Sequence, residues 1–254
     1  DKVRMRTAEV VRQKDEILQK NVVLQQQKEE IEAQRDEIEA QRDEIEAQRD
    51  NAVSQRDIIT HQKEELTSSI NYALRIQQAA LPAKENLGKW LTEYFLFFRP
   101  RDIVSGDFYW VWKNDNLLFL CVADCTGHGV PGAFMSMLGM AGLHEVVRNR
   151  RETDPGKILN GLRDYVISSL RQHRHGDFEV QGENHENLSA VKDGMDLSLC
   201  VLDMVSLSLL YSGANNPCWI VPANGSGLVE LKPDKMPVAI HDRMDSFTVK
   251  EYQL

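Results

Sequence analysis

From Val10 to Leu66 the aliphatic positions fall seven apart: Val10, Ile17, Leu24, Ile31, Ile38, Ile45, Ala52, Ile59 and Leu66, in a background of Gln, Glu, Arg, Lys and Asp. The segment Ile31-Glu-Ala-Gln-Arg-Asp-Glu37 recurs from Ile38 and again from Ile45. That period predicts one extended helix with a single apolar stripe, not a strand. With the stripe at position a of a coiled coil, position d holds Gln13, Lys20, Gln27, Gln34, Gln41, Gln48, Gln55 and Gln62, so half the seam is polar. In a parallel dimer the register sets Glu30, Glu37 and Glu44 opposite Arg35, Arg42 and Arg49 of the partner helix. Such exposed pairs contribute only about 0.2–1 kcal/mol each and choose geometry more than they hold it. The expectation is a weak parallel homodimer, with a solvated single helix or passive spacer as the bland alternative. A polar seam also suits a switch, whose two registers must differ by only a few kcal/mol.

Past Leu66 the face becomes denser, through Ile70, Ala73, Leu74, Ile76, Gln77, Ala80 and Leu81, and the helix is predicted to stop before Pro82. The chain therefore reads as a coiled-coil signalling helix over 1–69 and a globular domain over 70–254, connected by a helix that packs on the domain. Within the domain, Tyr94 to Phe98, Phe108 to Trp112 and Leu117 to Ala123 read as strands separated by polar turns. A broad apolar face predicts a helix over Gly132 to Val147, and Asp154 followed by Pro155 predicts the capped start of another running to Arg171. Leu197 to Leu202, Ser206 to Ser212, Cys218 to Val221, Leu228 to Leu231 and Ser246 to Tyr252 read as further strands, and the polar stretch from His173 to Lys192 as a loop. Strands, helices and strands again make an α+β layered domain.

A net charge of -9 argues against broad nucleic-acid binding, which needs a surplus of Lys and Arg. Cys121, Cys125, Cys200 and Cys218 are too few, in settings too apolar, for a disulfide framework, and read as reduced cytoplasmic thiols. No apolar run in the sequence approaches the roughly 20 residues of a membrane span, so no direct membrane insertion is expected. The chain opens at Asp1 in mid-pattern, which suggests an upstream sensor, with this part on the cytoplasmic side of any membrane-anchored parent.

Two acidic residues stand out by placement. Asp107 lies in Ser105-Gly-Asp-Phe-Tyr109, and Asp124 lies in Val122-Ala-Asp-Cys-Thr-Gly-His-Gly129, each at the end of an apolar strand. Hard divalent cations prefer carboxylate, carbonyl and water oxygens, so paired strand-end aspartates can supply half a site; single aspartates before glycine turns also serve as caps and turn residues. A zinc cluster of Cys121, Cys125 and His128 lacks a fourth ligand, and His173 and His175 read as solvated. Asp196 is either a buried acid near the active centre or a turn residue, and Asn215-Asn216 before Pro217 makes a turn by local physics.

Three segments in order, Phe98-Arg-Pro-Arg-Asp-Ile-Val-Ser-Gly-Asp-Phe-Tyr-Trp110, Val122 to Met135 and Tyr211-Ser-Gly-Ala-Asn-Asn-Pro217, resemble the successive motifs of the SpoIIE-like branch of the metal-dependent type 2C serine/threonine protein phosphatases. The resemblance covers about Ile70 to the end and implies an αββα sandwich with a dinuclear centre of Mn²⁺ or Mg²⁺ between its sheets. Carried over, Asp107 and Asp124 match metal-ligating aspartates, and Cys125 stands where a backbone carbonyl ligates and Gly is usual. The family's later Ser-Asp-Gly motif and its late Asp have no counterpart before Leu254; Asp234, Asp242 and Asp245 do not stand in that motif. The domain is therefore expected to be incomplete at its C-terminus. The implied activity is hydrolysis of phosphoserine or phosphothreonine on a protein, such as an anti-sigma-factor antagonist, with the helical linker as regulator. The alternative is a non-catalytic or truncated phosphatase-like binding module acting through the coiled coil.

Overall fold

The computed structural model describes residues 2–170, 193–223, 225, 227–242 and 244–254. The predicted loop from His173 to Lys192, with His173 and His175, lies outside the described residues. By internal contacts the chain divides into Asp1–Leu66 and Thr67–Leu254.

The first unit is helical from Lys2 onward, as the seven-residue period requires. It belongs to α1 (Lys2–Ala80), which continues into the second unit. The stripe residues Ile31, Ile38 and Ile45 are each about two-thirds exposed, so the single chain leaves its apolar seam in solvent. Two seam glutamines fold back along the helix: Gln41 and Gln48 donate to the Oε1 atoms of Glu37 and Glu44.

In the second unit α1 ends before Pro82, and the short α2 (Lys84–Trp90), which the sequence pattern did not predict, follows. A five-stranded antiparallel sheet has the order β1 (Phe108–Asn114), β2 (Leu117–Cys125), β3 (Met195–Asp203), β4 (Ser208–Ala214), β7 (Lys250–Gln253). A two-stranded ribbon joins β5 (Cys218–Ile220) to β6 (Val229–Leu231). β1 and β2 form a hairpin in which Asn114 pairs with Leu117, and Asp115 takes φ +49°, a left-handed position that Asp tolerates. Tyr94 to Phe98, predicted as a strand, pairs with no strand among the described residues. Its alternation is genuine, with Phe95 and Phe97 exposed and Leu96 and Phe98 half-buried, but alternation reports one covered side and not a paired edge.

Between β2 and β3 the chain forms α3 (Gly129–Leu143), one π-helical segment (His144–Asn149) and α4 (Pro155–Ser169). Asp154 caps α4 as predicted, its Oδ1 accepting from the Lys157 backbone N–H at 2.9 Å. Period two along the strands sorts the sheet faces. Phe119, Cys121, Ala123 and Cys125 of β2 and Met195, Leu197, Leu199 and Val201 of β3 join Leu143, Ile158, Leu159, Leu162 and Val166 of the helices in the main core. Full burial of each large aliphatic there contributes about 1.5–3 kcal/mol relative to exposure. The helical stretch Gly129–Asn149 is 21 residues with mean hydropathy 1.2, long and apolar enough by length and composition to cross a membrane. The sequence pattern had not suggested such a span. Half of the stretch is buried within the domain, and its apolarity is that of a core helix.

The opposite face carries Leu120, Val122 and Asp124 of β2 and Asp196, Ser198 and Cys200 of β3. At the β4 side a second cluster of Leu209, Tyr211, Ile220 and Leu231 packs the ribbon onto the sheet. The architecture is α+β, with helices covering one face.

Candidate active site

Asp107 sits on the loop that enters β1, and Asp124 is the penultimate residue of β2. Because Phe108 pairs with Ala123, the register brings the two aspartates side by side at one end of the hairpin, and their carboxyl groups meet. Burial first, then the hydrogen bond and charge of Asp107, push the Asp124 carboxyl above the usual carboxylate range. Two carboxylates forced together favour a shared proton or a bound cation.

Glycines let the surrounding loops close on this point. A Cβ on Gly106 would lie 2.7 Å from the Gly127 carbonyl oxygen, and one on Gly132 would lie 2.6 Å from the same atom. Gly127 itself has φ +87°, a conformation that L side chains rarely adopt. The Ser105-Gly106-Asp107 loop, the turn after β2 and the first turn of α3 are thus in backbone contact. His128 Nδ1 lies 2.9 Å from Asp102 Oδ2, and Thr126 exchanges hydrogen bonds with Gly194 at the entry to β3.

Cys125 lies on the covered face of β2. Its thiol is buried and pushed up, by burial first and then by the charges of Asp124 and Asp107, while its main-chain oxygen faces the Gly106 contact. Cys121 is likewise a core thiol, raised to about 12 by burial. Asp196 pairs with Asp124 across the β2–β3 ladder and accepts from Asn215 Nδ2 at 2.9 Å. Asn216 supplies a carbonyl to the Tyr211 hydroxyl at 2.6 Å. Asp234 is engaged elsewhere, with both carboxylate oxygens accepting from Thr248.

Asp107 and Asp124 open into a cleft of about 430 Å³ bounded by Phe95 to Arg99 and by Asn216. Arg99 is the cationic residue among those lining that cleft. Nothing in the sequence sets Arg99 apart from Arg101 within the Phe98-Arg-Pro-Arg motif. The profile of stage II sporulation protein E (SpoIIE) matches residues 114–254, more than half of the chain.

The chain belongs to the SpoIIE family.

Solved structures are similar to different degrees. The SiaA-PP2C domain of Pseudomonas aeruginosa is similar at 28% identity and a TM-score of 0.61, over 76% of this chain and 68% of that one. The RsbU and RsbW domains of a Mycobacterium tuberculosis protein match at 17% identity and TM-score 0.45, over 61% of this chain and 37% of that one. The PP2C domain with a regulatory fragment of SpoIIE from Bacillus subtilis matches at 16% and 0.43, over 59% and 38%. No curated protein matches significantly by sequence. On the family match and the likeness to the SiaA-PP2C domain, this SpoIIE-family chain carries a PP2C-type phosphatase domain after its long helix.

For a metal-dependent family, the donor set bears on whether metal fits. Adjacent, solvent-facing carboxylates with main-chain oxygens nearby are the oxygen-rich environment that Mg²⁺ or Mn²⁺ prefers. The mutual strain of Asp107 and Asp124 is what a divalent cation would relieve. Among the described residues no group of three or more His, Cys, Asp or Glu side chains is placed to hold an ion, so this SpoIIE-family site offers a carboxylate pair and not a cage.

Proposed function

We propose that the protein is a metal-dependent protein serine/threonine phosphatase in bacterial-type signal transduction. The observation that carries this reading is the meeting of Asp107 and Asp124 in a cleft of a SpoIIE-family domain. Asp107, Asp124 and the Cys125 carbonyl would hold two divalent cations, Mn²⁺ or Mg²⁺. When bound, they supply the Lewis acidity for phosphomonoester hydrolysis. Asp107 and Asp124 would hold that charge in the cleft, and Arg99, which lines the same cleft, would attract the phosphoryl oxygens of the incoming phosphoserine or phosphothreonine. The exposed Phe95 and Phe97 give the cleft an apolar wall suited to a protein substrate, such as a phosphorylated anti-sigma-factor antagonist.

The exposed stripe of Asp1–Leu66 supports parallel homodimerisation. Its polar d positions suit a regulatory coil that carries the state of an upstream sensor, and on this reading the coil and the domain work on the cytoplasmic side. A second reading, a phosphatase-like binding module, is favoured by the small donor set alone. The discriminating experiment is Mn²⁺-dependent phosphate release from a phosphoserine protein. Release by the parent protein that is lost in Asp124→Asn supports the enzyme; no release and no metal uptake supports the module.

A further inference from the structure

Gln77 lies near the C-terminal end of α1 and is only 5% exposed. A buried primary amide must find partners, and this one finds both main-chain groups of a single residue. Its Oε1 accepts from the Ser105 backbone N–H at 3.0 Å, and its Nε2 donates to the Ser105 carbonyl at 2.6 Å. Since a backbone N–H can only donate and a carbonyl only accept, this pairing fixes which end of the amide is which. Nε2 also donates to Ser136 Oγ at 2.8 Å, and that hydroxyl donates to the Ala133 carbonyl, also at 2.8 Å. The side chain thus acts as a neighbouring strand would. It pins a loop residue by both polar groups and links it to α3.

Ser105 is two residues before Asp107. Two residues after Asp107, the Tyr109 hydroxyl donates to the Pro82 carbonyl at 3.3 Å, just beyond the end of α1. The final turn of α1 therefore holds the backbone before Asp107, and its exit holds the Tyr109 side chain after it. Between Ser105 and Asp107, Gly106 is pressed against the Gly127 carbonyl. Few backbone freedoms remain, which matters because ligand carboxylates must be held to within a fraction of an ångström.

We propose that Gln77 is a positioning residue for the cation site: through Ser105 it fixes the backbone that presents Asp107 to Asp124. Gln77 never touches the ion or the substrate. The inference rests on the reading of Asp107 and Asp124 as cation ligands. It also implies a reciprocal effect, in which bound cation tightens the Gln77–Ser105 contact by as much as that contact tightens the cation.

The test is Mn²⁺ binding by calorimetry to the unsubstituted protein, Asp107→Asn, Gln77→Met and Gln77→Glu, with circular dichroism as the check on folding. Gln77→Met keeps the volume and removes the hydrogen bonds; Gln77→Glu keeps an acceptor for the Ser105 N–H. The expected result is a loss of Mn²⁺ affinity of about ten- to a hundredfold for Gln77→Met and a smaller loss for Gln77→Glu. Affinity within about twofold of the unsubstituted protein in Gln77→Met, or in Gln77→Glu where the former does not fold, overturns the proposal if Asp107→Asn has lost binding. Mn²⁺ binding that is absent altogether, or unchanged in Asp107→Asn, overturns the ligand reading and this inference with it. Amide exchange of the unsubstituted protein gives a readout that needs no variant. Exchange at Ser105 should slow on adding Mn²⁺, and an unchanged rate with Mn²⁺ bound overturns the coupling.

Discussion

Asn215 donates through Nδ2 to Oδ1 of Asp196 at 2.9 Å, and Asp196 stands directly across the β2–β3 ladder from Asp124. The turn of Asn215-Asn216-Pro217 is therefore joined to the strand ends that carry the acidic site. Asn215 has φ +56°, which Asn accepts more readily than most residues, and its backbone N–H donates to the Asp234 carbonyl. Asn215→Ala loses a charge-assisted hydrogen bond and gains backbone strain, so it should destabilise the domain by about 1–3 kcal/mol. Denaturant unfolding checks this; a midpoint equal to that of the unsubstituted protein would show that the contact contributes nothing.

Asp107→Asn and Asp124→Asn should each abolish most phosphatase activity without loss of fold. Changing a group that merely supports a metal ligand costs about 10–100-fold, so changing the ligand itself should cost about 100-fold or more. Asn also removes the repulsion between the two carboxylates, so neither variant should melt earlier than the unsubstituted protein without added metal. Loss of activity accompanied by early melting would instead give the aspartates a structural role.

Arg99 carries the opposite charge into the same cleft. Arg99→Ala should raise KM for a phosphoprotein substrate and leave Mn²⁺ affinity unchanged, measured by initial rates and by calorimetry. A change in Mn²⁺ affinity with KM constant would assign Arg99 to the carboxylates and not to the phosphoryl group.

How far the site was legible depended on the physics behind each residue. Asp107 and Asp124 stood out because a charge at the end of an apolar strand is costly unless partnered, but that spacing alone was a weak signal, and the resemblance of the surrounding motifs carried their reading as ligands. The Asp154-Pro155 cap was legible for a similar local reason. Gln77 left no such trace: in sequence it is one more glutamine in a glutamine-rich helix, and its partners Ser105 and Ser136 are reached only through the tertiary fold. The strand predicted at Tyr94 to Phe98 failed because alternation records burial and not pairing. The helix predicted to end at Val147 continues to Asn149 through a π-helical segment, and no propensity signal marks that change of winding.

The apolar stripe of α1 makes its own prediction. Replacing Ile31, Ile38 and Ile45 with Ser removes the centre of the exposed stripe while leaving the flanking charges. Light scattering should show a shift from dimer to monomer at equal concentration. A mass unchanged by the triple substitution would place any dimer contact outside the coil.

The last prediction concerns a pair of thiols away from the acidic site. Cys200 Sγ donates to Cys218 Sγ at 3.7 Å, tying β3 to the ribbon strand β5. That hydrogen bond favours the Cys218 thiolate and lowers its pKa from 9.0 to about 7, while the shared proton and burial push Cys200 up. Cys218 is half-buried at the edge of the apolar cleft lined by Trp219 and Val122, so a small alkylating reagent can approach it. Its alkylation by iodoacetamide should rise through a pH of about 7 and level off, because the thiolate is the reacting form. Cys200→Ala removes the donor and should move that rise toward 9.0, the ordinary value. Linkage fixes the sign for stability: a lowered thiol pKa in the folded state gives stabilisation that is complete above the unfolded value and is lost as pH falls through the folded one. The unfolding midpoint of the unsubstituted protein should therefore gain on that of Cys200→Ala as pH rises from about 7 toward 9.0. Alkylation that begins only near 9.0 in both proteins would show that the two sulfur atoms do not share a proton.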